Sequence, residues 1–539
     1  MDLQRWCLGD GPQVLSSWWT AFPSSWWREL LPDSVVTLAV DSISPVRLVG
    51  RRSGGRDESL TTINGTTRVD LPMSRWDWLW LEQAEHIRSI SWSVDDEVPL
   101  SQVIAIVPTF GREADAVTQT RSFLSSVDIR RVLVVDQGDT LRDHADFIEL
   151  QATNGDRVKL LEQRNFGGSG GYARGMLESD PDCAILLSDD DAALPAEGLR
   201  RMLVAQAFAA REERELIMAT PMFSAENPAE LISAAERVDP HGFQWGAADG
   251  LREPVSVDRS MTEVIDTLAI RHAPNYAGWW GALLPPGTVA EVGLPAPFFL
   301  KWDDAEFGLR ATERGYEFMA LPGTGVWHPT WGAHKTLTTW VAVLLHRNRL
   351  ATASAYVAGR GIVRDSLVHQ IKHVLSLQYD VAELWAAGID QFLSGPEWLG
   401  NDLAEARTKA QKVVDSLLQE PVRGDVPRPR PPSSTPLRAL RAVVGLFRQR
   451  GSSQSSCIAA NFTWHDGIGA DRVVLTAGDG EPVSELRHDA QRARRILSTT
   501  FKQHASLARR WKELTPRYRS MLERNTTPEY WRGVLGIRR

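Results

Sequence analysis

The stretch VIAIVPTF, residues 103–110, is a continuous apolar run rich in β-branched residues that ends in a Pro-Thr turn. Such a run is typical of a strand that is buried on both faces of a sheet. A helical stretch, ADAVTQTRSFLSS, follows it, and the strand pattern then returns in VLVVDQG (132–138), DRVKLLEQ and CAILLSDDD. This alternation predicts a doubly wound α/β domain with its ligands at the carboxyl ends of the strands.

The regions on either side follow other patterns. Residues 1–98 contain runs such as VVTLAVDSI that alternate apolar and polar residues between glycine-rich turns, which predicts a small β-sandwich. After the α/β domain at 99–337, the segment 338–539 is predicted to be mostly helical, with a Pro- and Arg-rich loop at 422–436. The β domain is rich in tryptophans, which suit packing, oligomerisation or sugar binding. They are Trp6, Trp18, Trp19, Trp26, Trp27, Trp76, Trp78 and Trp80.

Composition indicates a globular protein of about three domains, with a net charge of −8. The three cysteines are far apart, and the sequence shows neither a signal-peptide pattern nor an apolar run long enough to span a bilayer, so we expect a cytoplasmic protein. Residues 481–539 carry 14 Lys or Arg and 6 Asp or Glu, and LRALRAVVGLFRQR (437–450) is a basic amphipathic helix. Both features favour peripheral contact with the anionic inner face of the cell membrane, although solvated or packed helices explain them as well.

Three adjacent carboxylates, Asp189, Asp190 and Asp191, follow the apolar strand CAILL. They repel one another, and a divalent cation would offset that repulsion. Because alternate residues of an extended segment point the same way, we expect Asp189 and Asp191 to share the ion and Asp190 to point elsewhere. Oxygen ligands suit Mg²⁺ or Mn²⁺ bridging to a diphosphate. A solvated acidic turn is the alternative.

A second acidic pair and a histidine follow further along the chain. Asp303 and Asp304 precede a predicted helix that contains Glu306 and Arg310. One carboxylate of the pair is expected to cap that helix and the other to act as a general base. His328 in VWHPTW would add an imidazole to the metal ligands and shift the preference from Mg²⁺ towards Mn²⁺. A purely structural histidine is the alternative.

Two further motifs point to close contacts. RNFGGSGGYARG (164–175) has four glycines in five residues, which allows the backbone to approach another group closely, but it lacks the ending of a Walker loop. In NYAGWWGALLP, Trp279 and Trp280 could form a platform for a sugar ring, and packing in the core is the alternative.

Eight motifs occur in the order and approximate spacing seen in the actinobacterial galactofuranosyltransferases, inverting GT-A enzymes that build the cell-wall galactan. The motifs are PTFGR, VDQG, NFGGSGGYARG, SDDDA, NYAGWWG, FLKWDDAEFGLRA, WHPTW and HRNRL. The chain most resembles the larger, polymerising type, which has an N-terminal β-sandwich, a Rossmann-like GT-A domain and a helical C-terminal region. The resemblance is dense over about residues 103–350 and weak from there to about residue 400.

The resemblance also implies roles for the matching residues. It places Arg112, Gln137, Asn165, Asp189 and Asp190 at the nucleotide, Asp189, Asp191 and His328 at the metal, Asp304 as the catalytic base, and Trp279, Trp280, Asp303 and His346 around the sugars.

The implied reaction transfers galactofuranose from UDP-galactofuranose to a galactan acceptor, expected to be lipid-linked, with Mn²⁺ or Mg²⁺ as cofactor. A related enzyme for another sugar or acceptor and a non-catalytic glycan-binding protein remain alternatives. A nucleotidyltransferase is disfavoured, because the sequence shows neither a second set of metal ligands nor a basic triphosphate clamp. We expect no nucleic-acid partner, and a homo-oligomer is left open.

Overall fold

The computed structural model describes residues 1–7, 16–248, 254–258, 260–268, 273–330, 336–356, 361–417, 435–450, 455–459, 464–476 and 482–537. The N-terminal part comprises β1 (Asp2–Cys7), α1 (Ser16–Thr20), α2 (Ser24–Leu30), β2 (Val35–Arg51), β3 (Glu58–Pro72), β4 (Trp78–Leu81) and β5 (Ile87–Ser93).

The prediction of a β-rich domain is confirmed. Its described strands form one hydrogen-bonded antiparallel sheet, β1-β5-β2-β3 with β4 on β2, in which the long strand β2 pairs in succession with β5 and β4. The two-layer arrangement of a sandwich stays a prediction.

The eight tryptophans noted in this part of the sequence are buried, and none is more than 7% exposed. Two of them, on α1, contact the next domain. Trp18 packs edge-on against Phe223 at 5.5 Å between ring centroids, and Trp19 lies 6.1 Å from Trp327. These tryptophans therefore serve packing and the junction between domains, since no broad indole face is left open to a sugar.

The α/β domain follows. Its elements are β6 (Val103–Thr109), α3 (Glu113–Leu124), β7 (Ile129–Asp136), α4 (Ala145–Asn154), β8 (Val158–Glu162), α5 (Gly167–Leu177), β9 (Ala184–Leu187), α6 (Ala196–Arg211), β10 (Leu216–Ala219), β11 (Met222–Ser224), β12 (Glu230–Ser233), β13 (Glu236–Val238), β14 (Trp245–Ala247), β15 (Val255–Ser256), α7 (Met261–Leu268), β16 (Ala282–Leu284), α8 (Thr288–Val292), α9 (Asp303–Glu313), β17 (Glu317–Ala320) and β18 (Val326–His328).

Seven of these strands form the main sheet, in the order β17-β10-β16-β9-β6-β7-β8. All neighbours are parallel except β16, which runs antiparallel to both β9 and β10. The predicted central strands correspond to β6, β7 and β9, which are buried along almost their whole length because both faces of the sheet are covered. The prediction of an α/β domain is therefore confirmed.

A smaller sheet, β15-β12-β11-β18, lies next to the main one and positions β18. A reciprocal pair of backbone hydrogen bonds, 2.9 and 3.0 Å long, joins Trp327 of β18 to Ala193. Because Ala193 closely follows the acidic triplet, this pairing brings the end of β18 to the carboxyl end of β9.

The C-terminal region comprises α10 (Val341–Tyr356), α11 (Gly361–Leu375), α12 (Tyr379–Leu393), α13 (Ala406–Asp415), α14 (Thr435–Gly445), β19 (Ser455–Ala459), α15 (Trp464–Gly467), β20 (Arg472–Thr476), β21 (Pro482–Arg487), α16 (Ala490–Asn525) and α17 (Pro528–Leu535). It is mostly helical, as predicted, but it also contains the unpredicted sheet β19-β20-β21. Most of the predicted loop 422–436 lies outside the described residues. Among the described helices, none combines the length and the apolar character needed to cross a bilayer.

Candidate functional site

Two carboxylates and one imidazole converge where β9 and β18 end. The Nε2 atom of His328 lies 3.4 Å from Oδ2 of Asp189 and 3.3 Å from Oδ1 of Asp191. Adjacent ligands of one octahedral Mg²⁺ or Mn²⁺ ion are about 3 Å apart, so this donor set fits such an ion with little movement. Within the described part of the chain, this is the one group of three or more His, Cys, Asp or Glu side chains with such convergent ligand atoms.

Hydrogen bonds fix how these three side chains face one another. Nδ1 of His328 lies 2.7 Å from the carbonyl oxygen of Pro329, which leaves Nε2 directed at the carboxylates. The Tyr172 hydroxyl donates to Oδ1 of Asp189 at 2.7 Å, and the Arg112 guanidinium donates to Oδ2 of Asp191. Each carboxylate therefore keeps its other oxygen for the shared space, which is how surrounding groups orient metal ligands.

The charges in this cluster favour a cation. Burial opposes protonation of His328, but the carboxylates of Asp189 and Asp191 outweigh it and raise the pKa of the imidazole. Burial also acts against the charged form of Asp189, yet the hydrogen bonds with His328 and Tyr172 lower its pKa. A proton on the histidine and a divalent cation would therefore compete for the same place between the carboxylates.

Asp190 points away from this cluster. Its Oδ2 accepts a hydrogen bond from the Thr109 hydroxyl, at the end of β6, at 2.7 Å. Burial raises the pKa of Asp190 to about 7, and the hydrogen bond from Thr109 and the charge of Arg112 offset only part of this effect. Its expected contact with a nucleotide stays a prediction.

The glycine-rich motif forms the start of α5, where its glycines allow close backbone contacts. A Cβ atom on Gly167, whose φ is 69°, would lie 2.0 Å from the carbonyl oxygen of Phe299. Gln137 orders this segment: its Oε1 accepts from the N–H of Phe166 at 3.0 Å, and its Nε2 donates to the carbonyl of Gly167 at 3.1 Å. Asn165 accepts from the N–H of Gly167 at 2.9 Å. The structure thus shows both polar residues shaping the loop, and their contact with UDP stays a prediction.

The second acidic pair occupies the first turn of α9. Oδ2 of Asp303 accepts from the Ser169 hydroxyl at 2.8 Å, and Oδ1 of Asp304 accepts from the N–H of Ala305 at 2.7 Å. Contrary to expectation, neither carboxylate is the capping residue, because Trp302 occupies that position. Burial raises the pKa of both carboxyl groups, and the charge of Asp304 adds to the rise at Asp303. A raised pKa suits a general base that works near neutral pH.

Helix α5 links the two acidic clusters. Ser169 binds Asp303 and Tyr172 binds Asp189, and these two helix residues are three positions apart. Side chains at this spacing project from one face of a helix, with Cβ atoms about 5–6 Å apart. Asp189, Asp191 and His328 are called the metal-type cluster below. A ligand bound to this cluster would therefore lie within reach of the carboxylates of Asp303 and Asp304.

The predicted aromatic residues border the site, and His346 does not. Trp279 packs edge-on against Tyr172 at 4.8 Å between ring centroids, and the ring of Trp280 lies 6.4 Å from that of His328. Both indoles are largely buried. His346 is fully buried in α10, where it stacks on Trp385 at 4.0 Å, among the C-terminal helices. The structure therefore does not bring His346 to the two acidic clusters.

Known proteins resemble the chain over nearly its full length. It is 29% identical over 588 aligned residues to Galactofuranosyltransferase GlfT2 of Mycolicibacterium smegmatis, a match that covers 98% of this chain and 90% of that protein. The corresponding protein of Mycobacterium tuberculosis is 28% identical, with 96% and 90% covered. Residues 448–537 match the family Galactofuranosyltransferase-2, domain 3. The chain is similar over nearly its full length to galactofuranosyltransferases named GlfT2. The resemblance inferred from the eight motifs is therefore confirmed.

Solved structures are also similar, at a low level. S. aureus TarS 1–349 is 13% identical and has a TM-score of 0.35, with 58% of this chain and 89% of that chain covered. The mannosyltransferase PcManGT from Pyrobaculum calidifontis, in complex with GDP-Man and Mn²⁺, is 15% identical and has a TM-score of 0.33, with 60% and 88% covered.

One residue of the site, Glu236, was missed by the sequence analysis. It is largely buried on β13, and its Oε2 accepts from the Tyr276 hydroxyl at 2.8 Å. Besides burial, the charge of Glu236 contributes to the raised pKa of Asp304, so the two carboxylates lie near each other. Glu236 belongs to no recognisable motif, and the only signal for it is its partner Tyr276 in NYAGWWG.

Proposed function

We propose that this chain transfers galactofuranose from UDP-galactofuranose to a galactan acceptor, with inversion at the anomeric carbon. The names of the two relatives that match nearly the whole chain support galactofuranose as the transferred sugar. The observation that carries the chemistry is the face of α5, which joins a cation-type donor set to a buried carboxylate pair through Tyr172 and Ser169. In a metal-dependent inverting transfer, the ion stabilises the leaving diphosphate and the base activates the acceptor hydroxyl, so both features must lie close together.

The residues that would hold the ion are Asp189, Asp191 and His328, with Mn²⁺ favoured over Mg²⁺ because one donor is an imidazole. When bound, the ion supplies charge neutralisation for the departing diphosphate. Arg112 donates to Asp191, and its side chain is 42% exposed, which supports a contact with the same anion. Gln137 and Asn165 shape the adjoining loop for the nucleotide.

The group that accepts the proton of the acceptor hydroxyl lies at the start of α9. Asp304 takes the proton of the attacking acceptor hydroxyl, and Asp303, held by Ser169, faces the sugar. A single displacement with one carboxylate as base inverts the reacting carbon, by the same stereochemical logic that separates the two classes of glycosidase. Trp279 and Trp280 border the space in which the sugar would lie.

The donor is tested by measuring UDP release from UDP-galactofuranose, UDP-galactopyranose and UDP-glucose with a galactan-like acceptor and Mn²⁺. We expect a strong preference for the furanose, because a pyranose would leave buried polar groups of the site unpaired, and such mismatches discriminate by large factors. His328→Ala is the control for release that does not depend on this site. A preference for either pyranose donor would show that the scaffold serves another sugar.

We also propose that α14 contacts an anionic membrane, where a lipid-linked acceptor would be met. Its arginines face the protein: Arg438 donates to the carbonyl of Ile468, and Arg441 donates to Asp471. Ala442 is buried at 4% exposure, whereas five larger apolar side chains of residues 437–447 consequently point outward. They are Leu437 (67% exposed), Leu440 (61%), Val443 (44%), Val444 (55%) and Phe447 (79%).

Flotation with anionic vesicles at low and high salt tests this contact. The double substitution Leu440→Glu and Phe447→Glu is expected to abolish flotation, because it places two charges on the apolar face. Phe501→Glu is the matched control, since Phe501 is also an exposed aromatic (53%) but lies on α16. Equal flotation of the double variant and the control would leave α14 without a role at the membrane.

A further inference from the structure

The residues just before the second acidic pair have an unusual backbone. The φ angles of Phe299, Lys301 and Trp302 are 74°, 68° and 73°. Residues other than glycine rarely adopt this left-handed region, because the Cβ atom crowds the backbone. Such conformations persist only where the surrounding structure holds them, and they cluster at functional sites. The segment Phe299–Trp302 is called the strained turn below.

Asn348 of α10 holds this turn from one side. Its Nδ2 lies 3.0 Å from the carbonyl oxygens of both Leu300 and Lys301, and 3.3 Å from that of Phe298. Its Oδ1 accepts from Nε of Arg347 at 2.9 Å, which fixes the orientation of the amide. The side chain is fully buried, so water does not replace these bonds. One amide group thus satisfies successive carbonyls that no regular secondary structure would pair.

Helix α5 holds the turn from the other side. The carbonyl of Phe299 accepts from the backbone N–H of Ser169 at 3.3 Å. The same carbonyl approaches Gly167 so closely that a Cβ atom there would lie 2.0 Å away. Because the Ser169 hydroxyl also binds Asp303, the strained turn and the first turn of α9 are placed together.

We propose that Asn348 is a positioning residue for the transfer reaction, whose amide holds the strained turn so that Asp303 and Asp304 face the metal-type cluster. This inference rests on the proposed function, in which Asp304 is the base. Without the amide donor, the carbonyls of Leu300 and Lys301 lose these hydrogen bonds and the turn relaxes. The start of α9 then moves relative to the bound sugar. A displacement of 1 Å can cost about 10²-fold in rate.

The test compares Asn348→Asp and Asn348→Ala with Thr352→Val. The aspartate keeps the shape of asparagine but has no N–H to donate. Thr352 is the matched control: it is one helical turn further along α10 and fully buried, and its hydroxyl has no hydrogen-bond partner among the described residues. For each variant, kcat, donor KM, the Kd of UDP with Mn²⁺, Tm and the hydrogen exchange of residues 296–306 are measured.

Both Asn348 variants are expected to lose about 10²-fold in kcat while the Kd of UDP and the donor KM stay near wild type, because β9 and β18 do not depend on the turn. Hydrogen exchange at 296–306 should become faster in both Asn348 variants. Thr352→Val should change neither kcat nor this hydrogen exchange. A kcat near wild type in a folded Asn348 variant would overturn the inference. So would unfolding of both variants, or unchanged exchange at 296–306. If exchange responds but wild type does not use UDP-galactofuranose, the proposed function fails and the support of the turn by Asn348 stands.

Discussion

Replacement of Asp304 with asparagine is expected to abolish transfer while the nucleotide site stays intact. The N–H of Ala305 donates to Oδ1 of Asp304 at 2.7 Å, a bond that the amide oxygen of asparagine can also accept. The amide cannot take a proton at neutral pH, and a general base contributes about 10²–10⁴-fold. That factor corresponds to about 3–5 kcal/mol in the activation barrier.

The Asp304→Asn variant should fold as stably as the wild type, so a loss of transfer would not reflect unfolding. Burial raises the pKa of Asp304, so above that pKa the ionised carboxylate opposes folding, and a neutral amide should not lower the free energy of unfolding. UDP release measures turnover, and calorimetry with UDP and Mn²⁺ measures binding. Near wild-type turnover of Asp304→Asn would refute the assignment of the base, and Asp303→Asn would then be the variant to examine.

Three further predictions follow from the same geometry. Asp191→Ala and His328→Ala should each lose most of the transfer activity, and Mn²⁺ should support more activity than Mg²⁺; full activity in excess chelator would contradict both. Tyr172→Phe removes the donor to Asp189 and should weaken Mn²⁺ binding about 10–100-fold, as read from the Mn²⁺ concentration needed for half-maximal transfer. Because burial raises the pKa values of the carboxyls at 303 and 304, kcat should decline as the pH falls through values well above the usual aspartate pKa of about 3.9, and a flat profile down to that value would contradict the assignment.

The parts of the structure that the sequence predicted are those with a local pattern. VIAIVPTF and CAILLSDDD are continuous apolar runs, which indicate strands buried on both faces whatever their partners are. The alternation within the acidic triplet likewise indicated which two carboxylates face the same way. Glu236 escaped prediction because β13 has only three residues and its relation to Asp304 depends on contacts distant in sequence. The role of Asn348 depends on the φ angles of a segment about fifty residues earlier, and no pattern of residue types reveals those angles.

We expect the N-terminal domain to support the metal-type cluster as well, and Trp19 offers a test of this. Trp327, which immediately precedes His328, lies between Trp19 at 6.1 Å and Phe223 at 5.5 Å. Trp19→Leu would leave space beside β18 and let the imidazole shift. We expect a loss of about tenfold in Mn²⁺ affinity, the lower end for groups that support a ligand indirectly. Trp76→Leu is the control, since Trp76 is equally buried in the same domain but packs against Gly50. Both variants should lower Tm, because each removes a buried indole, and only Trp19→Leu should raise the Mn²⁺ requirement. Equal Mn²⁺ requirements in the two variants would mean that the domain contributes stability alone.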